Sequence, residues 1–519
     1  MAQATPKRFR NPVIRGFHPD PSVCRVGDDF YLVTSSCEYF PGVPIHHSTD
    51  LVHWRLLGHV LSRDSQLDLR KVHSSGGIYA PTLRYDGKLF YMVTTLIGGS
   101  AGGNFYVTAE RPEGPWSDPI WLDKDGFDPS FSFIDGTVYY TRAGKGSDFD
   151  HPLIYQGTLD TKSKKINVKP EPIWPGTGGV WPEAPHLYQR GEYFYLMHAE
   201  GGTAYEHSEI MVRSRTPFGP FEVCPHGPIL GHLARKNHPI QATGHADLVD
   251  LPNGDTVAVF LAIRPKNGRH HHLGRETFLA PVTWTKDGWP IIGDKGHVEL
   301  EMTAPALAPT PFPAAPVRDD FDAKKLAPTW NFVRNPNPED WSLTARAGHL
   351  RLSGSKLSLD EHGSPALVGR RQEHFAFRAR TRLDFEPKNK TEEAGLAVRQ
   401  NENFYAAIAV TLGASGREAR LRTRLVGEST LGTSTPLAPG PVELEVGANA
   451  STYEFFVVAG KARTSLGKLE AKAISTESIW GPKGAHFTGA FVALYASGNG
   501  QRASAPADFD WFEYAPGDD

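Results

Sequence analysis

One short pattern recurs five times in the first half of this 519-residue chain. An apolar run is followed by a tight Gly, Asp or Asn turn and then by a second run rich in aromatic and β-branched residues. The copies open at Asp20-Pro21, Ala80-Pro81, Asp128-Pro129, Ala184-Pro185 and His245-Ala246. Each reads as a β-hairpin. A hairpin cannot bury its apolar face alone. One that recurs at a spacing of roughly 50–60 residues predicts blades stacked around a common axis, a five-bladed β-propeller. Equivalent positions of successive blades then meet at one end of a central funnel, and Asp20, Asp128 and Glu183 are expected to converge there.

The pattern ends near residue 300. Residues 304–316 alternate Pro and Ala too densely for a helix or a central strand, which predicts an extended, semi-rigid connector. After it the strand candidates shorten and alternate. Between Phe375 and Phe385 every second residue is apolar or Thr, while Arg378, Arg380 and Arg382 share the other face, the period of a half-buried antiparallel strand. Repeated spacing of such runs predicts a β-sandwich. The whole chain is therefore expected to be all-β, with a propeller over 9–303, a linker over 304–316 and a sandwich over 317–519.

Composition excludes several partners. A formal net charge of −3 gives no electrostatic reason to bind nucleic acid or an anionic membrane. No apolar run approaches the roughly 20 residues of a membrane helix. The first residues carry charge but no apolar stretch, and three cysteines make no disulfide framework, so a cytoplasmic location is expected unless a leader has been removed. The sequence leaves open whether copies of the chain associate as a homo-oligomer.

Acid is not required by the repeat, since two copies open with Ala80 and Ala184. That makes Asp20 and Asp128 candidates for chemistry rather than turn residues alone. Glu183 lies one residue before the equivalent position, in Trp181-Pro182-Glu183-Ala184-Pro185. A rigid, partly dehydrated setting of this kind raises a carboxyl pKa. Three acids around a funnel suit glycoside hydrolysis, in which one carboxylate activates water, one protonated acid supplies the leaving oxygen, and a third tunes the second. His245 faces the same axis and is a candidate to hold a central cation or to orient Asp20. Arg275 is a candidate to bond ring hydroxyls or to hold Asp128 ionised. The run His270-His271-His272 lacks acidic neighbours and reads as incidental rather than as a metal site. The loop at 497–502 is a candidate to reach the funnel from the second domain.

The segments around Asp20-Pro21-Ser22, Phe127-Asp128-Pro129, Trp181-Pro182-Glu183 and Gly274-Arg275-Glu276 closely resemble glycoside hydrolase family 43, in its two-domain β-xylosidase and α-L-arabinofuranosidase branch. The resemblance covers the whole chain and implies a concanavalin-like sandwich after the propeller. It implies Asp20 as general base, Asp128 as the acid that tunes pKa, and Glu183 as general acid. It places Phe127, Thr203, His245 and Arg275 around the bound sugar, and implies calcium in the channel at His245, with no organic cofactor. The chain departs from the branch at Cys37, where many xylosidases have Phe, and at Tyr79, where they have Trp. The resemblance implies that both positions border the sugar pocket.

The expected activity is inverting removal of terminal pentosyl residues from xylo- or arabino-oligosaccharides. β-D-xylose is modestly favoured, with α-L-arabinofuranose, or both, as the alternative. A retaining fructosidase-type enzyme and a non-catalytic carbohydrate-binding propeller are the remote alternatives. The first lacks its motifs here, and the second would not need the acids.

Overall fold

The computed structural model describes residues 7–144, 152–480 and 486–517. Five antiparallel sheets of four or five strands follow one another along the chain. Their innermost strands are Ser22–Val26, Gly77–Tyr85, Phe127–Ile134, Glu183–Arg190 and Gln241–Asp250, which define blades I to V. Each inner strand turns directly into its partner, as the hairpin pattern requires. Outside the propeller two further sheets pack face to face, and they share one apolar core that includes Phe377, Leu383, Phe404, Phe455 and Phe512. The strand Phe377–Asp384 alternates buried and more exposed residues along its length, as its sequence predicts. Helix is confined, among the described residues, to three- and four-residue turns, and no helix is long and apolar enough to cross a membrane.

The ring is closed without a shared blade. Arg8–Arg10 pairs with Glu301–Thr303, so the two ends of the propeller segment are laced together. On the axis, Asp247 of blade V accepts hydrogen bonds from Ser22 Oγ (2.6 Å) and the Val23 amide (3.1 Å) of blade I. It also accepts from both terminal nitrogens of Arg84 in blade II (2.8 and 3.0 Å) and from Tyr188 Oη in blade IV (2.7 Å). One fully buried carboxylate thus joins four blades, and Arg84 first among its partners holds its pKa far below the usual range against the cost of burial.

The sandwich is fused to the propeller rather than tethered to it. Tyr39–Phe40, from the blade I segment, adds an edge strand to a sandwich sheet by pairing with Asn331–Val333. Arg334, without solvent exposure, donates to the carbonyls of Val72 (2.6 Å) and Gly363 (2.7 Å), one in each domain. The connector is extended, as expected, but it is also docked: the Thr310 amide donates to Asp50 Oδ2 (2.7 Å) and Phe312 lies under the guanidinium of Arg55. The histidine run is a domain contact and not incidental. His271 bonds the Glu477 carboxylate through its amide (2.8 Å) and Nδ1 (2.7 Å), and His272 packs against Phe375 and Tyr453.

Candidate active site

The acids reach the axis through a repeated backbone irregularity. Near the start of the inner strand of blades II to V the register with the next strand slips by a β-bulge. In four blades the residue at the opening position takes a left-handed conformation: Asp20 (φ 55°), Asp128 (51°), Ala184 (55°) and His245 (52°). Asp and His tolerate this region better than most residues, whereas Ala adopts it at a cost of about 1–3 kcal/mol, so the fold holds the position and the side chain is chosen separately. Glu183 therefore occupies in blade IV the place of Phe127 in blade III. Both pair with an alanine of the neighbouring strand, Ala199 and Ala143. The one-residue offset of the third acid is a consequence of this geometry.

Asp20 is buried and charged. Arg275 Nη1 donates to its Oδ1 (2.7 Å), Ser35 Oγ donates to its Oδ2 (2.5 Å), and His245 Nδ1 stands 3.6 Å from Oδ1. Burial pulls its pKa upward, but Arg275, then His245 and Ser35, outweigh that and hold it below the ordinary value. The expectation that Arg275 would hold Asp128 ionised is corrected here: its short ion pair is with Asp20. Its remaining contacts are Thr203 Oγ1 (3.2 Å) and the Phe487 carbonyl (3.4 Å).

Among the described residues no guanidinium or ammonium forms an ion pair with Asp128 or Glu183, and Arg275 acts on them only as a minor opposing charge. The hydrogen bond that reaches the Asp128 carboxylate is from the Ala184 amide to Oδ2 (3.1 Å), which ties the two acids through one peptide. Burial, and then the Asp20 charge, push Asp128 up. Burial, then Asp128 and Asp20, push Glu183 up. The two titrate as a pair, and that pair gives up its last proton less readily than Asp20 does. An ionised carboxylate together with a second acid that keeps its proton is a set that can take a proton from one side of a bound molecule and give one on the other.

The loop that delivers Glu183 is itself anchored. Glu200 accepts from the amides of Thr177 (2.5 Å) and Gly179 (3.0 Å) and from Thr177 Oγ1 (2.7 Å), and His198 Nε2 lies 3.0 Å from it. Trp181, at the end of this loop, meets Phe127 with ring centroids 6.4 Å apart.

Cys37 and Tyr79 belong to one apolar cluster. Cys37 is buried in a cluster with Phe17, Tyr39 and Phe491, and Tyr79 packs on that cluster's edge. Tyr79 Oη donates to the Ser75 carbonyl (2.6 Å), so the phenol is directed away from free rotation. Against its ring stands Phe487, edge-on at 5.8 Å, from the sandwich domain. Phe487 is fixed by its amide on Ser75 Oγ (3.0 Å) and by its carbonyl on Arg275. Sequence reasoning missed this residue, and the loop it named, 497–502, bonds instead within the sandwich to Thr391, Glu339 and Asp340. Trp480, partly exposed, packs edge-on against Phe487.

The side chains near His245 do not form a protein-built calcium cage. Calcium takes about six to eight oxygen ligands, and among the described residues no group of three or more His, Cys, Asp or Glu is arranged to hold a metal. The carboxylates nearest in the channel are engaged, Asp20 by Arg275, Asp247 by Arg84 and Glu209 by the Ala246 amide (2.9 Å). A cation at His245 would draw its oxygens mainly from water.

Comparison with known proteins agrees with this geometry. Residues 9–290 match the model of the glycosyl hydrolases family 43, and residues 318–515 match a β-xylosidase C-terminal concanavalin A-like domain. A Bacteroides ovatus protein, non-reducing end α-L-arabinofuranosidase BoGH43B, is 46% identical over 511 residues, covering 98% of this chain and 95% of its own. A β-xylosidase of Bacillus subtilis is 36% identical over 542 residues, with 98% and 99% covered. The solved structure of a xylan β-1,4-xylosidase from Bacillus halodurans superposes with a TM-score of 0.93 at 37% identity, covering 98% of this chain and all of that one. With both halves of the chain matched, and with relatives that run its full length, this propeller and sandwich belong to glycoside hydrolase family 43, as an exo-acting hydrolase of xylan- and arabinan-type substrates.

Proposed function

We propose that this chain removes single terminal α-L-arabinofuranosyl residues, accepts β-D-xylosyl residues second, and inverts the anomeric centre. The observation that carries the mechanism is the division of charge among the acids: Asp20 is held ionised by Arg275, while burial and mutual repulsion keep the Asp128–Glu183 pair from losing its last proton.

In this reading Asp20 takes a proton from water as the water oxygen bonds to the anomeric carbon. Glu183 gives its proton to the glycosidic oxygen as that carbon–oxygen bond breaks. The sugar leaves with the water oxygen on the opposite face, Asp20 ends protonated and Glu183 ionised, and exchange with solvent resets both. Direct displacement by water requires a carboxyl separation of roughly 6.5–9.5 Å. Asp128 keeps Glu183 protonated by disfavouring a second anion and fixes the peptide that follows it. Arg275, Thr203, Phe127 and His245 surround the sugar in this reading.

The sugar preference rests on two supports. The relative at 46% identity is named an arabinofuranosidase, while the Bacillus subtilis β-xylosidase stands at 36%. Cys37, buried in the cluster on which Tyr79 packs, is smaller than the aromatic residue that many xylosidases of the branch carry there. Turnover measured side by side on nitrophenyl α-L-arabinofuranoside and nitrophenyl β-D-xyloside tests the preference. Higher kcat/KM on the xyloside would reverse it, and a retained anomer in the first-formed sugar by proton NMR would overturn the mechanism.

A further inference from the structure

His207 lies behind the acids and belongs to none of the roles above. It is 1% exposed, and its Nε2 stands 3.7 Å from Glu183 Oε1. Neither ring nitrogen closes a hydrogen bond in this conformation. The Ala242 backbone favours a proton on the ring, but with no hydrogen bond fully closed a buried imidazole costs up to about 1–3 kcal/mol, so its placement requires a reason. The ring is also held in place by an omission: a Cβ built on Gly244 would come within 2.7 Å of its Cε1 and Nδ1. Gly244 does not have the left-handed backbone that favours glycine, so the space for this ring is what its missing side chain provides. Burial, then His245 and Arg275, hold the imidazole neutral, with its pKa pushed down to about 3.

We propose that His207 is the positioning residue of the general acid, an uncharged donor that fixes which oxygen of Glu183 carries the proton. In the tautomer protonated at Nε2, the ring donates to Oε1, so Oε1 is the carbonyl oxygen and the proton resides on Oε2. During reaction that proton passes to the glycosidic oxygen, the carboxylate charge spreads over both oxygens, and His207 keeps its own proton and continues to donate. A neutral ring performs this without the positive charge that would pull the Glu183 proton off too early. The 3.7 Å gap closes with a small shift of the carboxyl, of the kind expected when a substrate seats against it.

This inference rests on Glu183 as the general acid, and the experiment separates the two. His207→Asn, His207→Gln and Gly244→Ala are compared with Glu183→Ala on an unactivated arabino-oligosaccharide and on a dinitrophenyl arabinofuranoside. The amide of Gln reaches the place of Nε2, and that of Asn does not. A misplacement of about 1 Å costs on the order of 100-fold, so His207→Asn is expected to lose about 10–100-fold in kcat on the oligosaccharide. It should lose little on the dinitrophenyl substrate, with KM nearly unchanged. His207→Gln should recover most of that loss. Gly244→Ala, which keeps the imidazole but displaces it, should behave like His207→Asn. Equal loss on both substrates, or no difference between Gln and Asn, overturns the role of His207 while leaving Glu183 in place if Glu183→Ala is selective. If Glu183→Ala itself loses equally on both, the acid is misassigned and the role of His207 falls with it.

Discussion

The charge on Asp20 depends on Arg275, and that dependence has a measurable pH signature. Arg275→Met removes the guanidinium and keeps most of the packing against Phe487. At about 4 Å between charge centres and an effective dielectric of about 20, the lost attraction has a ceiling of ~4 kcal/mol. The net value of a hydrogen bond to a charged group is ~1.5–3 kcal/mol. At about 1.4 kcal/mol per pH unit, this corresponds to an upward shift of about 1–2 units in the Asp20 pKa. Ser35 and His245 remain, so the shift stays within that range, and burial supplies the upward pull once the cation is gone.

The sign follows from the proposed role. If Asp20 is the base it works ionised, so activity is lost as pH falls through its pKa, and a raised pKa moves that loss to higher pH. The acidic limb of kcat/KM against pH is therefore expected to move upward by about 1–2 units in Arg275→Met. Arg275→Lys retains a charge and should leave the limb nearly where it was, even if the rate falls because Thr203 and the Phe487 carbonyl lose their fork. A stopped assay with nitrophenyl arabinofuranoside between about pH 3 and 8 reads the limb. If Arg275→Met loses rate uniformly and the limb does not move, Asp20 is not the group whose ionisation limits the reaction.

Three further outcomes are expected. Asp128→Asn removes a negative charge beside Glu183, so the basic limb should move downward, and a limb that stays or rises would show that Asp128 does not hold Glu183 protonated. Asp247→Asn should destabilise the propeller at neutral pH by about 3–5 kcal/mol in denaturant unfolding, because it leaves Arg84 buried without its partner. Since the folded pKa of Asp247 is depressed, that stabilisation is complete above the unfolded value near about 4 and is lost below it, so the gap from the parent protein should narrow in acid. Ending the chain at residue 303 exposes Tyr39–Phe40 and the propeller surface met by Arg334 and Asn335 and removes Phe487, so an aggregating or inactive propeller is expected, and a soluble, fully active one would refute the fused interface.

The blades were legible because a period-2 apolar pattern and a tight turn are local, and both were repeated five times. The acids stood out for the same reason: Ala80 and Ala184 show by comparison that Asp20 and Asp128 are not needed to close a turn. The offset of Glu183 was visible but not explicable from sequence, since a β-bulge is a property of two strands and the left-handed residue at Ala184 bears no mark of its conformation. Arg275 was found and given the wrong partner. Its place in blade V is local, whereas the choice between Asp20 and Asp128 depends on how far blades I and III stand from it around the ring.

Contacts between the domains were the least legible part, and the reason is physical. Phe487 reaches Ser75 across 412 positions of sequence, and no local period records such a contact. A glycine- and polar-rich loop at 497–502 has the composition of a mobile wall, yet its side chains are consumed by Thr391, Glu339 and Asp340. The residue that does reach the site is an aromatic one, held at both ends of its peptide, which costs little entropy to keep in place once the domains are fused. The same fusion explains why Arg334 is buried beside backbone carbonyls from both domains. Each domain leaves polar groups that only the other can satisfy, so the geometry of Phe487 over Tyr79 and Arg275 is set by the whole interface. Sugar selectivity at that wall is thus expected to respond to substitutions at the domain contact that touch neither the acids nor the sugar.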